Sequence, residues 1–374
     1  KGKLTVNLNS TTSFERAYVL LKRQDQFGQG LINPDGTNTI DSGENFSWGP
    51  AFDGIVRPWT SPVDTDGDGT FEYLSRPYSA VENQLENLFR TGVTLNNGLS
   101  LSGGDDRFTY FTSYSNTQQD GVFENTNYDR HNFLTNVSAK LNDKLTSSIS
   151  VSYANVSQNT VHEGARAFEG QNPYANALQS PVNIPFSELR DYKNPYHSFE
   201  GYYGTYSVNP YFVLNEYQNK GKINNVLANL SLTYKPIDKL TLSTRLGVNY
   251  VSVDRITSVP KYEYADHLIW EDNLTLVTRF SAANGGSRGR NAGSYTELFS
   301  NTRNIDWTST ASYTQDLTSK LKLTAIGGLN YFDVLNREML GETNGGLVVP
   351  GVYNLANSKD RASASQNHFN RRII

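Results

Sequence analysis

Apolar and polar residues alternate with period two along several stretches of the chain. Over 145–153, Leu145, Ser147, Ile149, Val151 and Tyr153 fall on one side and Thr146, Ser148, Ser150 and Ser152 on the other. Over 240–250, Leu240, Leu242, Thr244, Leu246, Val248 and Tyr250 oppose Thr241, Ser243, Arg245, Gly247 and Asn249. Residues 321–331 repeat the theme with Leu321, Leu323, Ala325, Gly327, Leu329 and Tyr331. Successive side chains of a strand point to opposite faces, so this spacing predicts long strands with one apolar and one polar face. Each run follows another alternating run across a short turn: 129–141 turns at 142–144, 223–235 at 236–238, and 303–315 at 316–319. The return strands open alike, as Lys144-Leu145-Thr146, Lys239-Leu240-Thr241 and Lys320-Leu321-Lys322. A fourth hairpin turns at Gly103-Gly104-Asp105-Asp106, and an initial strand covers 3–12. The pattern gives nine strands of roughly 10–14 residues, with a tenth beginning in the tail.

Two asymmetries predict the architecture. Connections at one end are short; those at the other are long, at 13–90, 120–128, 159–222, 254–302 and 336–365. Short turns on one side and long loops on the other mark outer-membrane barrels. Aromatics also fall at fixed heights on the apolar face. Tyr234 and Tyr313 stand beside the short turns, and Tyr153, Tyr250 and Tyr331 close the long-loop end. The ten steps from Leu240 to Tyr250 span about 33 Å at roughly 3.3 Å per residue. A strand tilt of ~40–45° reduces this to about 24 Å of height, against an apolar band of about 25 Å. The expected fold is all-β: part of a transmembrane antiparallel β-barrel, with long extracellular loops and short periplasmic turns.

Composition agrees with this. Hydrophobic residues make up only 37% of the 374, yet the chain holds 23 Tyr and 18 Phe. Disordered chains are poor in aromatics; a sheet wet on one face and greasy on the other needs this mixture. With Cys 0 there is no disulfide framework or cysteine metal site. A net charge of -4 offers no basic face for nucleic acid. No run approaches the ~18 apolar residues of a membrane-spanning helix. A soluble β-sandwich would share the alternation, but sandwich strands run about 5–6 residues.

The segment Leu101-Ser-Gly-Gly104, Phe108-Thr-Tyr-Phe-Thr-Ser-Tyr114, Gln118-Gln-Asp-Gly-Val-Phe123, Tyr128-Asp-Arg-His131 and Asn136 resembles the SusC/RagA family of TonB-linked outer membrane proteins of Bacteroidetes. Ser47-Trp-Gly-Pro50 followed by Asp53-Gly54 is similar to that family's first long loop. The resemblance covers at least 1–158 and continues in style to about 335. It implies a barrel of about 22 strands around an N-terminal plug, in the bacterial outer membrane. It also implies a SusD-like surface lipoprotein as partner, and import of oligosaccharides or peptides driven through TonB. Residues 1–374 would then be one part of such a barrel domain, roughly strands two to eleven, with plug and later strands outside this chain. The resemblance implies no enzyme. The rival readings are a passive porin-like channel and a secreted glycan-binding or glycan-cleaving β protein.

Candidate chemistry lies in the loops. Asp64-Thr-Asp-Gly-Asp-Gly-Thr-Phe-Glu72 places Asp64, Asp66 and Asp68 at alternate positions on a tight turn, as in an EF-hand-like Ca²⁺ loop. The Thr70 carbonyl and Glu72 side chain could add ligands. Ser75 stands where the bidentate Glu of that motif would fall, and a solvated acidic turn is the bland alternative. Loop aromatics, among them Trp48, Trp59, Tyr196, Tyr202, Tyr203 and Tyr206, are candidates for contact with substrate or partner. A loop of that size also needs a small core of its own, which aromatics would supply. The tip Gly285-Gly-Ser-Arg-Gly-Arg290 offers a basic contact for outer-membrane lipopolysaccharide, with a solvated loop as the simpler reading. The five histidines show no metal spacing, and no nucleophile elbow or phosphate loop is present.

Overall fold

The computed structural model describes residues 3–18, 21–40, 45–162, 172–204, 208–263 and 290–373. The alternating runs form one antiparallel sheet of ten strands. These are β1 (Thr5–Glu15), β2 (Gly92–Gly104), β3 (Phe108–Asp120), β4 (Asn127–Asn142), β5 (Leu145–Asn159), β6 (Gln218–Ile237), β7 (Leu240–Val259), β8 (Ser294–Asp316), β9 (Lys322–Leu347) and β10 (Ser358–Ile373). Each strand pairs with its sequence neighbours in this set, so the sheet is a meander with β1 and β10 at its two sides. Among the described residues, no helix is long and apolar enough to cross a membrane.

The register turns the sequence alternation into continuous rows. One row runs Leu8, Leu99, Tyr114, Phe133, Tyr153, Val226, Tyr250, Arg303 and Leu335 across nine strands. Two rows nearer the turns, Tyr110, Val137, Ile149, Leu230, Leu246, Trp307 and Tyr331 line up on the same face. Directly opposite residues of an antiparallel pair share a face, so the apolar side is common to the whole sheet. It is not packed into a core: Leu8, Leu242, Leu246 and Leu329 are exposed, Leu329 to 74%. The other face is mainly Ser, Thr and Asn, with Leu227, Ile326, Phe369 and Ile373 as exposed exceptions.

Tyrosine hydroxyls point away from the middle of this face at both ends. Tyr153 donates to Asn224 at 3.0 Å and Tyr250 to Asn301 at 2.8 Å, both toward the long loops. Tyr313 donates to Gln315 at 3.2 Å, toward the turns. Between them the Trp307 indole N–H donates to the Thr244 hydroxyl at 2.8 Å. Polar groups on an apolar surface are thus bonded to one another, as burial in lipid requires. Tyr331 departs from the expected ring: it lies on the Leu246 row, two rows below Tyr250.

Strand lengths also depart from expectation. They run from 11 residues in β1 to 26 in β9. The alternation fades above the apolar band, but the hydrogen-bond ladder continues through Asp254–Phe299 and Arg255–Leu298. The 254–302 connection therefore shrinks to 260–293 and the 336–365 connection to 348–357. The 120–128 connection is a tight 121–126 loop.

Two of the short turns are built by side-chain caps. The Asp105 carboxylate accepts from Arg107 N and Phe108 N, both at 2.8 Å. Asn142 does the same for Lys144 N at 2.9 Å and Leu145 N at 3.0 Å. Gly104 enters its turn at φ +146, where an added Cβ would lie 2.2 Å from the Phe108 carbonyl oxygen. No other residue fits there.

At the far end, the described residues of the 16–91 and 160–217 loops fold together as a cap. Its core is Trp59, Leu85, Leu88, Ala177, Ile184, Phe186, Leu189, Tyr202, Tyr203, Tyr211 and Leu214. Short helices α1 (Pro173–Gln179), α2 (Phe186–Leu189) and α3 (Pro210–Glu216) carry much of it. Asn172 caps α1, accepting from Tyr174 N and Ala175 N. Asn209 caps α3, accepting from Tyr211 N, and also donates to the Leu189 and His197 carbonyls at 2.7 Å. An Asn N-cap followed by Pro in the first turn starts a helix cheaply. Cross-loop bonds stitch the two loops: Ser61 N to Gly201 O at 2.9 Å, Val81 N to Val182 O at 2.8 Å, and Tyr211 Oη to Asn87 O at 2.8 Å.

Facing makes a direct prediction. In phospholipid vesicles, Leu230→Arg should destabilise the sheet by about 2–4 kcal/mol, whereas Ser231→Arg should be tolerated. Denaturant unfolding of both variants measures this, and equal losses would contradict the assignment of faces.

Candidate functional site

The first loop carries the acidic turn. Val63 and Glu72 exchange backbone hydrogen bonds at 2.9 Å each way, closing a small hairpin that presents residues 64–71. The Asp64 carboxylate accepts from Gly67 N at 2.7 Å and Gly69 N at 3.0 Å. Asp66 accepts from Asp68 N at 3.2 Å and Asp68 from Thr70 N at 2.7 Å. Gly67 and Gly69 hold φ of +80 and +84, a conformation that glycine supplies. Desolvation pulls the Asp64 carboxyl up, but the N–H groups of Gly67, Gly69, Asp66 and Asp68 outweigh it and leave it below the usual carboxylate range.

This wrapping brings one oxygen each of Asp64, Asp66 and Asp68 within 4.8 Å of one another. Glu72 falls outside that group. Its carboxylate accepts from the Thr65 hydroxyl at 2.9 Å and the Tyr196 phenol at 2.8 Å. Hydrogen bonding to that carboxylate is the main reason the Tyr196 phenol titrates above its ordinary value. Tyr196 therefore ties the acidic hairpin to the 160–217 loop instead of standing free for a ligand.

The other aromatic candidates separate by burial. Trp59, Tyr202 and Tyr203 are all at most 3% exposed and belong to the cap core. In this structure they hold the loops together. Trp48 is 58% exposed and keeps its candidacy. Tyr206 lies outside the described residues, as do residues 285–289 of the basic tip. Phe46, Phe71 and Tyr73 of the first loop are also exposed, and Phe71 and Tyr73 adjoin the acidic turn in sequence. In the second loop, the described rings of 192–212 go largely to the cap core. The signal for this was the Asn-Pro pairs at 172, 194 and 209. They mark the second loop as locally folded, and a folded loop spends its rings on a core.

Two cap histidines are held neutral. Burial pushes His197, packed at 5.7 Å from the Trp59 ring, below the ordinary histidine value. Burial, and then the Arg255 charge, do the same to His162, which lies edge-on to Tyr217 at 5.4 Å. An unfolded histidine titrates near ~6.5. The unfolded cap therefore binds more protons as pH falls below that value. The stability tied to both residues is complete above it and is lost progressively toward the lower folded value. Hydrogen-exchange protection of the cap, corrected for intrinsic rates, should fall as the pH drops below about 6.5. His197→Phe should flatten that decline, and an unchanged slope would contradict it.

Comparison with known proteins places this geometry. No protein-family model matches the chain. The curated TonB-dependent receptor P26 of Formosa agariphila is 22% identical over 267 residues, covering 70% of this chain and 23% of its own length. A structure of the RagAB peptide transporter matches at TM-score 0.55 and 17% identity, over 77% of this chain and 30% of that one. The RagAB peptide importer in its open-open state matches at TM-score 0.55 and 16% identity, over 99% of this chain and 39% of that one. Its closed-closed state gives TM-score 0.54 over the same shares. The chain thus spans well under half the length of the proteins it matches. The likeness shows the fold: the ten-stranded sheet matches a sector of the β-barrel of the RagAB structures. The names of these relatives describe a receptor and transporters, not enzymes.

Proposed function

We propose that this chain is a wall and mouth of a TonB-dependent outer-membrane importer, working with a SusD-like surface lipoprotein to take in peptides or oligosaccharides. The carrying observation is the two-faced ten-stranded ladder with a folded loop cap at one end only. The apolar face meets lipid, and the Ser, Thr and Asn face keeps the lumen wet. The remaining strands and a plug that couples to TonB would come from elsewhere in the polypeptide. The structural relatives are a peptide transporter and importer, which favours peptide over glycan as cargo. The exposed Phe46, Trp48, Phe71 and Tyr73 would supply the cap's contact with the lipoprotein or cargo. Affinity purification of the intact outer-membrane protein in mild detergent should bring a lipoprotein with it in stoichiometric amount. Purification alone, together with steady ion conductance in planar bilayers, would favour the passive porin reading instead.

The same reading includes a Ca²⁺ ion on Asp64, Asp66 and Asp68, with the Thr70 carbonyl as a further oxygen. Hard cations take clustered carboxylate and carbonyl oxygens, and an ion there would fix the tip of the first loop beside its exposed aromatics. Calorimetric titration with CaCl₂ should show one site, weakened at least about tenfold by Asp64→Asn with Asp68→Asn. The absence of binding heat in the unsubstituted protein would contradict it.

A further inference from the structure

The outward face is apolar until the level of the upper tyrosines, where it turns basic on three adjacent strands. On the row that carries Tyr153 and Tyr250, β8 supplies Arg303. One row nearer the turns, β9 supplies Asp333 and β10 supplies Arg372. One row beyond Arg303, Arg337 stands between Asn301 and His368. Arg303 donates from Nη2 to Asp333 Oδ2 at 3.2 Å, and Arg372 from Nε to Asp333 Oδ1 at 3.3 Å. The Asp333 side chain is buried between them at 3% exposure, while the two arginine side chains are 45% and 59% exposed. Arg372 also lies over the Tyr331 ring at 5.8 Å.

A cross-strand ionic staple needs one cation for one carboxylate. Here three arginines share three rows with a single acid. A guanidinium carries five N–H donors in a planar fork. Two oxygens of one carboxylate cannot saturate two such groups, and Asp333 instead fixes both forks while their outer edges face away from the sheet. Guanidinium groups so held match a phosphate, which accepts paired N–H bonds from each. Their level, beside tyrosines whose hydroxyls reach toward water, is that of lipid headgroups.

We propose that Arg303, Arg372 and Arg337 bind the phosphorylated headgroup of an outer-leaflet lipid, with Asp333 as the positioning residue. The site rests on the lipid-facing reading of this face. It would anchor a lipid at the rim of the barrel, below the loop cap, on strands β8 to β10.

Native mass spectrometry of the intact outer-membrane protein, titrated with diphosphorylated lipid A, tests the site. One tightly held lipid is expected. Arg303→Gln with Arg372→Gln should weaken it at least about tenfold, and Arg337→Gln alone by about threefold. Arg245→Gln, on the opposite face, should change nothing. Asp333→Asn adds net positive charge yet should weaken binding, because the forks lose the group that holds them; tighter binding would overturn the positioning role. The site is overturned if the double variant, still migrating as a heat-modifiable barrel, keeps its lipid. It is also overturned if inorganic phosphate displaces the lipid, or if phosphatidylcholine binds as well. Should the double variant fail to fold, Arg337→Gln decides: unchanged affinity counts against the site. An unsubstituted protein lacking heat-modifiable migration would instead bring down the barrel reading beneath it.

Discussion

A backbone amide in hydrocarbon has no water to bond, and leaving one unpaired costs several kcal/mol. That constraint organises the molecule. Every strand between β1 and β10 has a ladder on both sides. Connections at one end are kept to a few capped residues, and everything irregular is gathered at the other. The ladder does not stop where lipid would: β9 continues to 26 residues, so the strands leave the membrane as paired ribbons and the cap is built on a stiff rim. The same constraint explains why polar side chains on the outward face bond to one another, as Trp307 does to Thr244.

Aromatic residues serve two purposes that composition alone cannot separate. On the sheet they mark the two water lines, with hydroxyls turned outward at each. In the loops they replace the missing sheet as a source of order. Tyr202, Tyr203 and Tyr211 fill a core that joins two loops separated in sequence by four strands, and Asn-Pro helix starts fix the backbone around it. A cap with its own core can present Trp48 and its neighbours in a defined arrangement, which a flexible loop could not.

Much of the sheet was legible because lipid enforces strict alternation: 145–153 and 240–250 could be placed on a face residue by residue. Legibility ended with the lipid. Above the Tyr250 row both faces meet water or cap, so residues such as Asp254 and Arg255 carry no periodic signal although they remain paired. The six-residue 121–126 loop was overestimated for the same reason. At the candidate site, the spacing of Asp64, Asp66 and Asp68 foretold their convergence. The bond of Glu72 to Tyr196 was not legible, because the two lie 124 residues apart. Trp59, Tyr202 and Tyr203 look like contact residues in sequence because a ring that packs and a ring that recognises have the same letter. Only the fold of the surrounding loop distinguishes them.

The central claim is that one face of this sheet lies against acyl chains and the next residue along each strand does not. The chain has no cysteine, so single labels can be placed without background. Bimane attached at Leu230→Cys, Ser231→Cys, Leu232→Cys and Thr233→Cys, in vesicles of brominated lipid, reads the facing directly. Strong quenching at 230 and 232 with little at 231 and 233 is the expected result. Uniform quenching, or none at any of the four, would contradict it.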